Sequence, residues 1–244
     1  IFMKSNQARK KLMAGGVISG ISLLYPSPEI AEEAARFGFD FVVLDWQHGP
    51  WSEATLNAAL ACFIYTETIP IVRLPGSDPA WVGKILDLGA FGIIVPMVET
   101  VDQCKAIARA AKFPPQGSRS ATGLRTAYFA DGNAIEYTEK ANSEILIVVM
   151  VETVLGVQNL PQLLGVEGID CVLIGPYDLT RSVNARTPNE PRVEELVQKI
   201  LATAQEIGVP AGYYTNYPAE AEARIAQGFR MVFLGHDTVQ LPEA

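Results

Sequence analysis

Histidine is scarce in this sequence: of its 244 residues only His48 and His236 are histidines. Cysteine is scarce as well. Cys62, Cys104 and Cys171 are odd in number and far apart. They form neither a metal-ligand motif nor a disulfide framework, so a reducing, cytoplasmic compartment is expected. Cys104 and Cys171 fall in apolar-periodic stretches and read as small core residues. No apolar run approaches the roughly 18 residues that a membrane span needs, and the first fifteen residues are polar and basic without a hydrophobic signal core. Positive charge is short too: Lys and Arg number 19 against 27 Asp and Glu, for a net charge of −8. The one basic cluster, Arg9-Lys10-Lys11, reads as a solvated helical turn, so nucleic acid is not an expected partner. Charged residues make up only 19% of the chain. That is below the usual quarter and suits a compact or oligomeric protein.

What the chain does contain is short apolar runs, each bounded by breakers. Gly16 to Leu24, Phe39 to Asp45, Ile69 to Arg73 and Gly92 to Pro96 come first. Glu144 to Glu152, Gly168 to Gly175, Pro210 to Tyr214 and Arg230 to Gly235 follow. They are continuous, not alternating, which means burial on both faces and parallel pairing. Helical segments stand between them, among them Ala80 to Leu88, Thr100 to Ala111, Asp131 to Asn142 and Arg192 to Ile207. Ser52 is expected to cap the helix after the second strand without forming a capping box, since Thr55 stands where Glu or Gln is usual. Eight strands alternating with helices predict an α/β chain folded as one (β/α)8 TIM barrel over residues 1–244. A doubly wound sheet is the alternative, but no GxGxxG follows the first strand. Little sequence follows strand eight, so the final helix is expected to be missing or truncated.

In a barrel, chemistry gathers where strands end at the carboxyl face. The second run ends in Asp45, then Trp46, Gln47 and His48 before Gly49-Pro50. The third ends in Arg73, the fifth in Glu152, and the sixth leads to Tyr177 and Asp178. Tyr214 closes the seventh and His236 the eighth. Glu152 and Asp178 read as two ligands of a hard divalent cation such as magnesium or manganese. They also read as an acid/base pair sharing a proton, or as partners of barrel arginines. Arg73 could hold a carboxylate or a developing oxyanion, or simply pair with Asp45. His48 suits a general base, with Asp45 or Asp87 to orient its ring. His236 reads as a hydrogen-bonding residue of the barrel end. The loop from Lys112 to Thr126, with Arg119 and Arg125, is long enough to be functional and is expected to border the site.

The stretches FDFVVLDWQHGPW, IVRLPGSDPAWVGKILDLGAFGIIVPMVET, FPPQGSRS, VVMVET and GIDCVLIGPYDL resemble those of the class II, metal-dependent pyruvate aldolases related to hydroxy-oxoheptanedioate aldolase. The likeness runs in register from Val17 to Val239. It implies an aldehyde-lyase in which Glu152 and Asp178 bind magnesium or manganese, with cobalt as a third candidate. It further implies that the metal chelates pyruvate, that Arg73 stabilises the enolate oxygen, and that the amides of Tyr177 and Asp178 hold the substrate carboxylate. His48, made more basic by Asp87, would move the proton of the aldol hydroxyl. The partners implied are a 2-oxo acid and an aldehyde, and further copies of the chain in a hexamer built as a trimer of dimers. Trp46 and Met150 depart from the family pattern, and with Tyr214 they are expected to shape the substrate pocket. No lysine ends a strand, which disfavours a Schiff-base route.

Two other readings compete. One keeps the metal-enolate site for a different carbon–carbon reaction, on an acyl-CoA ester or with decarboxylation. The first of these would want a basic groove for CoA phosphates, which the acidic chain does not offer. The other is a barrel that binds a metabolite without catalysis, and it fits poorly with a sequence that has His48, Arg73, Glu152 and Asp178 together.

Overall fold

The chain's computed structural model describes residues 4–121, 125 and 134–243. Eight parallel strands pair in sequence order, and the last pairs with the first to close a barrel. The strands are β1 (Ile18–Leu23), β2 (Phe41–Asp45), β3 (Ile69–Arg73), β4 (Gly92–Val95), β5 (Leu146–Val151), β6 (Cys171–Ile174), β7 (Ala211–Tyr213) and β8 (Met231–His236). Seven of the eight predicted runs contain their strand, the third residue for residue, while β8 runs one residue past its predicted end, to His236. The (β/α)8 barrel is thereby confirmed.

The alternation of side chains along each strand sorts them between two cores. Val42, Leu44 and Val72 face outward, into the layer shared with the helices. Val43, Ile71, Val148 and Met150 face inward and fill the barrel. Inside it the rings of Phe41 and Phe233 meet edge to face at 5.2 Å. Gly20 makes that packing possible, because a Cβ there would lie 2.2 Å from the Phe41 carbonyl oxygen. Helix α1 (Gln7–Met13) plugs the amino end with Ala8 and Leu12. It is fixed by buried Asn6, whose amide donates to the carbonyls of Phe91 at 2.9 Å and Glu144 at 2.8 Å. Cys104 and Cys171 are fully buried, as expected of core residues.

The outer helices are α2 (Pro28–Arg36), α3 (Glu53–Ala61), α4 (Ala80–Asp87), α5 (Val101–Ala111), α6 (Ala134–Glu144) and α7 (Val154–Leu164). After β6 come α8 (Pro176–Ser182) and α9 (Pro191–Ile207), then α10 (Pro218–Gln227) and α11 (Asp237–Glu243). Ser52 does form a capping box, contrary to expectation. Its hydroxyl accepts from the Thr55 N–H at 3.2 Å, while the Thr55 hydroxyl accepts from the Ser52 N–H at 2.9 Å. A threonine hydroxyl thus does what Glu or Gln usually does. The helix expected from Asp131 is described from Ala134 onward, and residues 131–133 lie outside the described residues. The final helix, α11, is present but only seven residues long.

The loop after α5 is placed differently from expectation. A connection from a helix to the next strand returns to the amino end of the barrel, opposite the strand ends that collect site residues. Arg119 there stacks over Phe113 at 4.6 Å and bonds to Asp87 at 2.7 Å, and Arg125 donates to the Asn57 carbonyl at 2.8 Å. Within one chain neither arginine borders the mouth. Residues 122–124 and 126 of that loop lie outside the described residues.

Candidate active site

The inward parity that fills the barrel also delivers its last layer. Asp45 continues Val43, Arg73 continues Ile71, and Glu152 continues Val148 and Met150. Asp45 and Arg73 are register partners on neighbouring strands, and Asp45 is fully buried. Arg73 Nε donates to Asp45 Oδ1 at 2.8 Å, and Nη2 donates to Oδ2. This two-pronged grip fixes the guanidinium plane. Burial works against charge on Arg73, but the bonds to Asp45 more than offset it and raise the pKa. The remaining nitrogen, Nη1, lies 3.9 Å from Met150 Sδ, and the guanidinium carbon sits 5.6 Å from the centre of the Tyr214 ring. Tyr214 itself stacks on Phe233 at 4.5 Å. Burial raises its phenol to about 12 and keeps it protonated.

These side chains surround a cavity of about 190 Å³, into which His48, Glu152, Asp178 and His236 also project. Glu152 is buried, and its Oε1 accepts the Met97 N–H at 2.8 Å. Gly175 stands against the other carboxylate oxygen, where a Cβ would come within 2.2 Å of Oε2. Burial pushes the Glu152 carboxyl up to about 7, and the charge of Asp178 pushes the same way. The Met97 N–H and Arg73 oppose the shift without cancelling it. Two carboxylates therefore share a partly desolvated mouth whose arginine is already committed to Asp45. That surplus of negative oxygen fits a divalent cation. Among the described residues no group of three or more His, Cys, Asp or Glu could hold a metal. The donor set is thus two carboxylates with room for water and substrate oxygens, the pattern typical of magnesium.

Not every predicted residue arrives here. Trp46 follows inward-facing Asp45 and therefore turns outward, where its ring meets Trp81 edge to face at 5.0 Å. It is not part of the cavity wall. Asp87 ends α4, which runs from the carboxyl end of β3 back to the amino end of β4. It pairs there with Arg119 and is not brought to His48 of the same chain. His48 is exposed on the turn after β2, and its main-chain N–H donates to Asp45 Oδ1 at 3.3 Å. His236 lines the cavity with Nδ1 at 2.7 Å from the Thr238 hydroxyl, and burial lowers its pKa.

Three residues here escaped sequence reasoning. Met97 holds Glu152 from a left-handed backbone, φ 54°, which an unbranched apolar residue does not advertise. Asp237 is buried and accepts the N–H groups of Leu24 and Tyr25 at 2.9 Å, tying β8 to β1. Its place beside His236 was the only available hint. Asn216 stands in the cavity wall and donates to the Tyr177 hydroxyl at 3.1 Å.

Residues 20–244 match the model of the HpcH/HpaI aldolase/citrate lyase family. The chain is 32% identical over 241 residues to a 4-hydroxy-2-oxo-heptane-1,7-dioate aldolase of Escherichia coli, a match covering 98% of this chain and 92% of that one. It is 31% identical over 242 residues to a 2-keto-3-deoxy-L-rhamnonate aldolase of Salmonella gallinarum, covering 98% and 90%. Among solved structures it superposes on a HpcH/HpaI aldolase/citrate lyase family protein of Burkholderia cenocepacia with a TM-score of 0.91. The sequence identity there is 28%, covering 98% of this chain and 96% of that one. The match spans nearly the whole barrel, including every strand end that lines the mouth, and the chain belongs to the HpcH/HpaI aldolase/citrate lyase family as an enzyme of the lyase class.

Proposed function

We propose that the protein is a divalent-metal-dependent aldolase that reversibly cleaves a 4-hydroxy-2-oxo acid to pyruvate, or a similar 2-oxo acid, and an aldehyde. The observation that carries this reading is the clamped Arg73 beside the Glu152 and Asp178 carboxylates in one mouth. Glu152 and Asp178 would hold the cation, magnesium or manganese before cobalt. When bound, it supplies Lewis-acid polarisation of the substrate's 2-oxo group.

The amides of Tyr177 and Asp178, in the first turn of α8, orient the substrate carboxylate, since early helical N–H groups have no partner within the helix. His48 accepts the proton of the C4 hydroxyl, through a water molecule. The C3–C4 bond then breaks, the aldehyde leaves, and the electron pair moves onto C3 and the C2 oxygen as an enolate. Arg73 Nη1 faces that oxygen and stabilises the charge that develops on it. Protonation at C3 yields the methyl group of pyruvate. Met150 and Tyr214 form the wall against which this small acid packs.

Asp87 enters the reaction only between copies. To reach a His48 from the amino end it must belong to a second chain, so we include in the proposal an assembly of copies, a trimer of dimers. Sedimentation of the native protein tests it, and a fully active monomer would remove Asp87 from the reaction. No helix among the described residues is long and apolar enough to cross a membrane, and we place the enzyme in the cytoplasm with small molecules as its substrates.

The experiment is pyruvate release from a panel of 4-hydroxy-2-oxo acids, with EDTA and with added magnesium or manganese. Metal-dependent release is expected, with loss of at least about a hundredfold in Glu152→Ala and in Asp178→Ala. Release that persists in EDTA and in both variants would sink the assignment.

A further inference from the structure

Beside the mouth lies a second cavity, of about 550 Å³, between the turn after β7 and the first turns of α9 and α10. The two cavities share Pro176, Tyr177, Tyr214 and Asn216 as a common wall. That wall closes through the single hydrogen bond from Asn216 Nδ2 to the Tyr177 hydroxyl. The other end of the Asn216 carboxamide, Oδ1, is buried without a partner. Exchanging the amide oxygen and nitrogen leaves the count the same, since one end bonds to Tyr177 and the other to nothing. A buried polar atom left unpaired costs the desolvation it paid, and Tyr177 is 60% exposed. The closed wall is weakly held, and a ligand that offers Asn216 a partner favours opening it.

Size divides the labour. The mouth, at about 190 Å³, falls below the ~300–1,000 Å³ of usual ligand clefts. It suits a three-carbon 2-oxo acid but not that acid with its aldehyde partner. The neighbouring cavity falls within the usual range. Its lining offers hydroxyl and amide groups from Tyr177, Tyr217, Asn189 and Asn216, together with the carboxylates of Glu194 and Glu220. Its only cation among the described residues is Arg224, which is already committed. Arg224 donates to Glu194 at 2.8 Å, to Gln227 at 3.0 Å and to the Tyr213 hydroxyl at 3.1 Å, and lies 4.0 Å from the centre of the Tyr213 ring. Two carboxylates against one paired cation repel an anion, while hydroxyls and amides receive a sugar-like chain.

We propose that this second cavity is the aldehyde subsite, entered across the Tyr177–Asn216 bridge, and that it selects a neutral, hydroxyl-bearing aldehyde over one that ends in a carboxylate. The inference rests on the mouth being the enolate-forming site proposed above. One control separates the two. In D₂O with magnesium or manganese, the wild-type protein should exchange the methyl protons of pyruvate, a reaction that needs the mouth but no aldehyde. Cleavage is then compared for two 4-hydroxy-2-oxo acids, one releasing glyceraldehyde and the other succinic semialdehyde.

Exchange together with kcat/KM about tenfold or more in favour of the glyceraldehyde-releasing acid is expected, a discrimination within reach of a polar site. Glu220→Lys, at a half-buried surface position of α10, should shift that ratio toward the carboxylated acid by about tenfold. Exchange without the preference, or a ratio unmoved by Glu220→Lys in protein with an unchanged melting curve, overturns the subsite. Absence of exchange overturns the enolate reading, and the subsite with it.

Discussion

At the carboxyl end of the barrel Asp45 sits behind Arg73 and is fully buried, with the arginine side chain 10% exposed toward the cavity. At the amino end the order is reversed: Arg119 is the buried partner, at 1%, and Asp87 faces outward at 27%. Both are arginine–aspartate pairs, yet each presents the opposite charge. The mouth shows a cation held rigid from behind by two bonds, which is what an enolate or carboxylate needs. The amino end shows a carboxylate held from behind by an arginine packed against the touching rings of Phe113 and Tyr137, at 4.6 and 5.8 Å from their centres. Pairing alone therefore does not mark a working residue. What marks it is which partner is turned toward a cavity, and in what company.

Substitution of the two arginines should break this comparison most visibly. Arg73→Lys keeps the charge but loses the fork, so kcat for pyruvate release is expected to fall by roughly 10²–10³-fold. Steady-state assays at saturating metal check this, and a loss under tenfold would mean that Nη1 does not face the developing charge. Arg119→Met removes a buried cation from beside the Phe113 and Tyr137 rings. Leaving Asp87 without its partner should cost about 1–3 kcal/mol of stability, or several degrees of Tm at ~2–4 °C per kcal/mol, with a smaller loss of kcat than Arg73→Lys. An unchanged melting curve would show that the amino-end pair holds nothing together.

The carboxylates of the mouth sharpen the comparison further. In metal-free protein the Glu152 carboxyl sits at about 7, above its ordinary 4.5, chiefly because it is buried. A folded-state pKa above the unfolded one means that the native state holds a proton which the unfolded chain has released. The associated stability is fully present below about pH 4.5 and is lost as pH rises through about 7. Metal-free protein should therefore melt progressively lower from pH 5 to pH 7.5. Excess magnesium at pH 7.5 should restore the loss, because a cation that binds only the folded state stabilises it. Melting curves with and without metal decide the matter, and a Glu152→Gln variant should be flat over the same range.

The barrel was legible because parallel strands buried on both faces leave continuous apolar runs, and all eight runs are strands in the structure. The site residues that the mouth assembles were legible for a related reason: a charge ending such a run has no packing role. Asp45, Arg73 and Glu152 all announced themselves this way. Depth along a helix, by contrast, leaves no such mark. Asp87 reads as near a strand, but it is near the amino end of β4, and only the direction of α4 separates the two ends. The loop at Arg119 misled for the same reason. Met97 and Asn216 act through a backbone angle and a shared wall, neither of which residue type reveals.

The smallest expected effect tests the parity argument itself. Trp46 was expected to help shape the substrate pocket because its bulk departs from the family pattern. Yet side chains alternate along β2 and Asp45 points in, so Trp46 points out against Trp81. Trp46→Phe should therefore weaken an edge-to-face contact worth about 0.5–1.5 kcal/mol and lower the melting temperature slightly. The ratio of kcat/KM between two aldehydes should stay within about twofold of wild type. Met150→Leu is the matched control, since Met150 lines the cavity with its sulfur 3.9 Å from Arg73 Nη1. It should change KM for the 2-oxo acid with little change in stability, because the swap nearly conserves volume. If Trp46→Phe altered selectivity and Met150→Leu did not alter KM, the inward and outward faces of the strands would have to be exchanged, and with them the membership of the site.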